Sequence, residues 1–187
     1  MGTFAVTSES VQGAVIQMLN HGFVSGALFL CVGVLYDRLH THEIARFGGL
    51  VHRMPAYAFV LMVFTLAAIG LPGTSGFVGE FLILLGTFRV NTLECTLAAT
   101  ALFLGPMYML YMYRRVIFGT LTRADLRGML DLSTREKALF VPLLVLVIWM
   151  GVYPLSFLHP IQASVDHLVQ QVTAATEAAG MRRASLQ

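Results

Sequence analysis

The chain has 187 residues, 57% of them hydrophobic and 12% charged, with a mean hydropathy of +0.74. Those proportions exclude a soluble globular domain of this size and indicate an integral membrane protein. A net charge of +2 spread over the loops offers no basic surface for nucleic acid.

Residues 1–12 carry no basic stretch and no small-residue cleavage site, so no signal peptide is read there. The first apolar run, 11–36, is long enough to cross a bilayer core of about 30 Å at about 1.5 Å per residue. It ends at Asp37-Arg38. Gln17, His21 and Ser25 recur at i, i+4 spacing within it, which places them on one helix face. Such a stripe can hold water, and His21 is the member that titrates near neutral pH. It equally suits a helix–helix hydrogen bond, with Gly22, Ser25, Gly26 and Gly33 as a small-residue packing surface. His40, His42 and His52 follow in a loop with arginines; their spacing fits no closed metal site, and a solvated face or partner surface is expected.

The second run, 55–88, would reach on the order of 50 Å as one straight helix, beyond what tilt absorbs. Pro72 and its glycines, in the string Gly70-Leu71-Pro72-Gly73-Thr74-Ser75-Gly76, therefore break it into halves near 56–70 and 77–88. A break at membrane depth survives only where protein or a water-filled cavity satisfies the freed backbone. Glu80, the only carboxylate deep within an apolar run, lies just past it. An acid there costs several kcal/mol unless it is paired or reached by water, which marks it as a protonation site; a neutral acid joining two helices is the alternative. The expectation is that Glu80 sits in the first turn of its half-helix with Thr74 or Ser75 as cap. There the helix N-terminus would favour the ionised form and desolvation the neutral one. The glycines lack a P-loop lysine and a flanking strand, so phosphate binding is rejected.

The third run, 93–118, is expected to kink at Gly105-Pro106 and carries Tyr108 and Tyr111 at i, i+3, whose hydroxyls suit a water path or ordinary packing. The fourth, 138–157, ends near Trp149 and Tyr153, which suit an interface or helix packing. Residues 1–158 read as a membrane domain with four spans, the second discontinuous, and 159–187 as an amphipathic tail. Within the tail, positions 161, 165, 168, 169 and 172 form an apolar stripe for the membrane surface or a partner. From 173 onward it is expected to fray. His159 and His167 belong to this tail. Cys31 and Cys95 are isolated and give neither a disulfide framework nor a cluster.

Nine basic residues (Arg38, Arg46, Arg53, Arg114, Arg115, Arg123, Arg127, Arg135 and Lys137) fall in the loops after spans one and three. Only Arg89, Arg182 and Arg183 fall on the other side. The positive-inside rule then makes the nine-residue side cytoplasmic and puts the C-terminus outside, which is periplasmic in a bacterial inner membrane.

Several stretches resemble the antiporter-like subunit M family of bacterial NADH:quinone oxidoreductase, respiratory complex I. They are His21-Gly22 through Leu35-Tyr36-Asp37-Arg38, Phe47-Gly48-Gly49-Leu50 with Met54-Pro55, Gly70 through Phe81, and Tyr113-Arg114-Arg115 with Phe118-Gly119. The string from Gly70 to Phe81 is the most specific. The resemblance implies the last four helices, eleven to fourteen, of a fourteen-helix all-α membrane subunit. His21 and Glu80 match the family's proton-path residues on helices eleven and twelve, with Gln17 and Ser25 as water-path candidates. The lysine and glutamate of the family's first half-channel have no counterpart, which implies a C-terminal fragment or truncated reading frame. Gly105-Pro106 departs from the proline-free pattern expected in helix thirteen.

The resemblance further implies a subunit that conducts protons, with no cofactor in this chain: NADH, flavin, iron–sulfur and quinone belong to partner subunits. Its partners would be the other membrane subunits of complex I, lipid, protons and ordered water, and no nucleic acid. A subunit of a multisubunit cation/proton antiporter and a non-conducting membrane scaffold are the alternative readings.

Overall fold

A computed structural model describes residues 1–121 and 124–184. Among these residues the secondary structure is helical: α1 (Ser8–Leu39), α2 (Pro55–Ala68), α3 (Ser75–Val90), α4 (Thr92–Ala99), α5 (Ala101–Ile117), α6 (Ala124–Arg127), α7 (Thr134–Val152) and α8 (Leu155–Ala184), with 3-10 turns at Ile44–Arg46 and Leu50–His52. The chain is thus all-α, as its composition requires.

α1 begins with a capping box: Thr7 accepts from the Ser10 amide while Ser10 accepts from that of Thr7. Its 32 residues and the 26 of Thr92–Ile117 are each long and apolar enough to cross a membrane alone. Thr134–Val152 and Leu155–Ala179 qualify as a pair bent by 68° at Tyr153-Pro154, and Pro55–Ala68 is a shorter apolar helix.

The main core joins the second half of α1 to α2, the end of α5, α6 and α7, around Tyr57, Phe64, Ile117, Phe140 and Val147. Two buried tyrosines cross it. Tyr57 donates its hydroxyl to the Cys31 carbonyl (3.1 Å), and Tyr113 donates to that of Ala58 (3.0 Å). Each phenol thus satisfies its polar end while burying its ring. A smaller cluster joins Ile16 of α1, Val78 of α3 and Met150 of α7, with Phe157, Leu158 and Ile161 of α8 packed on it.

α1 and α3 approach one another closely. A Cβ at Gly13 would lie 2.8 Å from the Ile83 amide nitrogen, and one at Gly86 would press on Ser10. Glycine lets these backbones touch. The small-residue face expected on α1 is a different one. Nothing lies within 4 Å of a Cβ built at Gly22, Gly26 or Gly33, so that face is bare.

Both ends of the bundle are tied. At one, Arg38 donates to both Glu136 carboxylate oxygens (2.9 Å each) and to the carbonyls of Val34, Leu130 and Asp131. The Arg38 guanidinium, aided by the Ser133 amide, holds the Glu136 carboxyl down to about 2. Asp131 accepts from the Ala56 and Tyr57 amides (2.9 and 3.1 Å), so a carboxylate from 75 residues away caps α2. Arg46 approaches Asp125 to 3.9 Å, and the Gly49 amide donates to the Phe118 carbonyl. This end therefore gathers the loops that carry the expected cytoplasmic arginines; Arg123 lies outside the described residues.

At the other end Arg89 pairs with Glu9, and Ser8 donates to Asp166 (2.5 Å). The tail folds back here. Val165, from the apolar stripe, is buried within the chain, whereas Leu168 and Val172 are exposed. The helix also continues through Ala184 instead of fraying at 173, because its Ala-rich sequence has high intrinsic helix propensity.

Candidate functional site

The break between α2 and α3 is a helix C-cap followed directly by a new N-cap. The Gly70 amide donates to the Ala67 carbonyl (3.3 Å) and the Leu71 amide to that of Leu66 (3.0 Å). With Gly70 at φ 71°, this is a Schellman closure of α2. The Thr74 amide then donates to the Leu71 carbonyl, and α3 starts at Ser75. A Cβ on Gly76 would strike the Ala67 carbonyl, so the new helix crosses directly over the end of the old one.

Two details correct the expectation for this turn. Thr74 occupies the N-cap position, but neither hydroxyl caps: Thr74 donates to the Leu71 carbonyl (2.7 Å), and Ser75 donates to Oδ1 of Asn20 (2.5 Å). Glu80 lies in the second turn of α3, because the helix begins at Ser75 and not at 77. Its Cα therefore lies beyond the first turn, where the field of the helix N-terminus is strongest. Side chains on a helix lean toward its N-terminus, and Glu80 does so. Its carboxylate lies against Gly70, where an added Cβ would overlap it.

Glu80 is half-buried and opens onto a cavity of about 310 Å³. Ala68 and Ile69 from the end of α2, Ile83 of α3, and Leu102, Pro106 and Tyr108 of α5 form much of the wall. The lining includes none of Gln17, His21 and Ser25. Gln17 instead points at α3: its Oε1 is buried without a protein partner and lies 2.5 Å from where a Cβ on Gly79 would stand. The polar face of α1 thus meets α3 one residue before Glu80. His21 is exposed on the outer side of α1, and Ser25 turns its hydroxyl back to the His21 carbonyl. The expected stripe is therefore divided between a buried amide, an open imidazole and a hydroxyl bound to backbone.

Sequence reasoning passed over the Asn20–Ser75 pair, which is 3% and 0% exposed. A polar amide inside an apolar run and a serine in a helix break were both visible. The pairing was not, because the i, i+4 stripe through Gln17 skips Asn20. Tyr108 is 65% exposed at the cavity, and Tyr111 lies under the Arg115 guanidinium (5.7 Å). The Trp149 indole donates to Ser156 across the α7–α8 bend. Among the described residues no three His, Cys, Asp or Glu side chains converge on a metal position.

Residues 1–105 match the family described as NADH:quinone oxidoreductase/Mrp antiporter, TM. The chain is 57% identical over 170 residues to NADH-quinone oxidoreductase subunit M of Rhodobacter capsulatus, covering 91% of this chain and 33% of the relative. It is 48% identical over 170 residues to NADH-ubiquinone oxidoreductase chain 4 of Marchantia polymorpha, covering 91% of this chain and 34% of that protein. The chain therefore spans about a third of the length of the curated relatives it matches. Its fold is similar to a chain of respiratory complex I from Thermus thermophilus with bound NADH, with TM-score 0.79, 33% identity, and coverage of 90% of this chain and 36% of that one. An archaeal membrane-bound sulfane sulfur reductase shares the fold at TM-score 0.69 and 24% identity, covering 79% of this chain and 24% of that one.

Proposed function

Because the chain belongs to the NADH:quinone oxidoreductase/Mrp antiporter transmembrane family, we propose that it forms the C-terminal, proton-conducting part of an antiporter-like subunit of that oxidoreductase. NADH oxidation and quinone reduction take place on flavin, iron–sulfur and quinone sites of partner subunits, and this chain moves protons. It crosses a bacterial inner membrane four times, with α2 and α3 as one broken crossing. The Arg38 end faces the cytoplasm and α8 the periplasm. The identity to subunit M relatives supports this over a scaffold role.

One observation carries the reading: an intramembrane carboxylate at a helix break, opening onto a cavity of about 310 Å³. A buried acid that water reaches can cycle between neutral and ionised forms, whereas a sealed one is held neutral. Gln17, resting on Gly79, links the α1 face bearing His21 to the helix bearing Glu80. His21, Gln17 and Ser25 serve the path on that side, and Glu80 holds the proton at the break.

The test is Glu80→Gln in the assembled complex, reconstituted in vesicles. Gln keeps size and hydrogen bonding but removes titration, so NADH-linked proton translocation is expected to fall strongly while partner subunits still co-purify. Unchanged translocation would make Glu80 structural. Repeating the assay with a sodium gradient separates the proton reading from a cation/proton antiporter.

A further inference from the structure

The dipeptide Gly105-Pro106, unusual for the helix it occupies, lies at the Glu80 cavity. Leu102, Gly105, Pro106 and Tyr108 all line it. Proline has no N–H, so the Leu102 carbonyl, four residues earlier in α5, lacks the amide that would close its turn. The neighbouring backbone is uncovered as well, since a Cβ at Gly105 would meet nothing within 4 Å. Among the lining side chains only Glu80 and Tyr108 carry oxygen; the rest are aliphatic, glycine, proline or methionine.

Water at membrane depth is retained where two to four polar groups surround it, and each molecule takes roughly 30 Å³. Glu80, the Leu102 backbone and Tyr108 border a space of about 310 Å³ and can supply such partners there. No single one suffices. Without Pro106 the carbonyl would be spent within the helix, and without Tyr108 the wall beyond it would be apolar.

We propose that the Pro106 break is a hydration device: the freed Leu102 carbonyl and the Tyr108 hydroxyl hold water beside Glu80 and carry its proton along α5. The inference rests on the reading of Glu80 as a proton site. The O–H bond of the neutral carboxyl breaks as its proton passes to a water oxygen, and that water hands a proton onward. Tyr108 accepts one proton and releases its own, so phenol and water end unchanged. The Leu102 carbonyl is an acceptor that orients the water and takes no proton. Pro106 is thus a positioning residue, Tyr108 relays the proton, and Glu80 is the group that gains charge as its proton leaves and loses it on reprotonation.

The experiment compares Glu80→Gln, Pro106→Ala and Tyr108→Phe in the assembled complex in vesicles. It reads NADH-linked translocation together with the infrared bands of the protonated carboxyl and of hydrogen-bonded water. Pro106→Ala restores the amide to Leu102, and Tyr108→Phe removes one oxygen while keeping the ring. Each is expected to slow translocation roughly two- to tenfold, the loss that follows from removing one hydrogen bond from a transfer path. Each should also weaken the water band while the Glu80 carboxyl still titrates. If Glu80→Gln stops translocation but Pro106→Ala and Tyr108→Phe keep the wild-type rate and water band, the hydration device is wrong and the Glu80 reading stands. If Glu80→Gln translocates normally, the proton-site reading fails and this inference falls with it. Should Pro106→Ala not assemble, Tyr108→Phe decides alone: a wild-type rate overturns the proposal, and a slowed rate with a weakened water band supports it.

Discussion

The Glu80 carboxylate lies against the Cα of Gly70, so that no β-carbon fits between the acid and the turn that ends α2. Ten residues separate them in sequence, and the Schellman closure together with the backward lean of Glu80 brings them together. The acid is thereby fixed to the break itself. Its position depends on the turn, and the turn on glycine.

Gly70→Ala is therefore expected to act twice. A left-handed alanine costs roughly 1–2 kcal/mol, and its methyl displaces the carboxylate. Thermal unfolding in detergent should show a lower midpoint, and the infrared carboxyl band of Glu80 should shift. An unshifted band would mean that Glu80 does not rest on this turn. Glu80→Asp, which shortens the reach by one methylene, should keep part of the translocation when water bridges the gap.

His21 is exposed on α1. Replacing it by Ala should change the stability of the isolated chain by no more than about 0.5 kcal/mol, as for other open surface sites. In the assembled complex the same change should slow proton translocation without loss of partner subunits. His21→Phe keeps bulk and removes the titrating group; wild-type translocation by that variant would end the relay role assigned to it.

The Arg38–Glu136 pair sets a pH dependence. Hydrogen bonding to Arg38 lowers the Glu136 carboxyl from 4.5 to about 2 in the folded chain. The stabilisation is thus complete above about pH 4.5 and is lost as pH falls through about 2. Glu136→Gln should cost on the order of 1 kcal/mol near neutral pH, since solvent screens a pair at the chain's edge. The difference from wild type should shrink as the solution is acidified. A constant offset across that range would show that the carboxylate charge contributes nothing.

The division of nine basic residues against three predicts the sidedness proposed above. A cysteine at His42 should react with a membrane-impermeant reagent only from the cytoplasm, and one at Gln171 only from the periplasm. Native Cys31 and Cys95 are buried (0% and 8% exposed) and should give little background. The reverse pattern would invert the side from which Glu80 is supplied.

The sequence by itself determined the membrane class, the helical architecture, the helix break before Glu80 and the lone acid just past it. Each rests on a local property: mean apolarity, helix period, the backbone freedom of glycine and proline, or the cost of one charge in hydrocarbon. Only the tertiary structure decided what those groups meet. Whether Ser75 would cap its helix or reach Asn20 depended on a residue 55 positions away. The cap on α2 likewise came from Asp131, 75 positions away from Ala56. The small residues at Gly22, Gly26 and Gly33 look as fit for packing as Gly13, Gly79 and Gly86, yet only the second set is pressed against a neighbouring segment. Helix period says that a face exists; the crossing of two helices, set by side-chain volume over the whole interface, says which face is used. The cavity at Glu80 belongs to this second class, because its walls come from α2, α3, α4 and α5 and no one segment contains its shape.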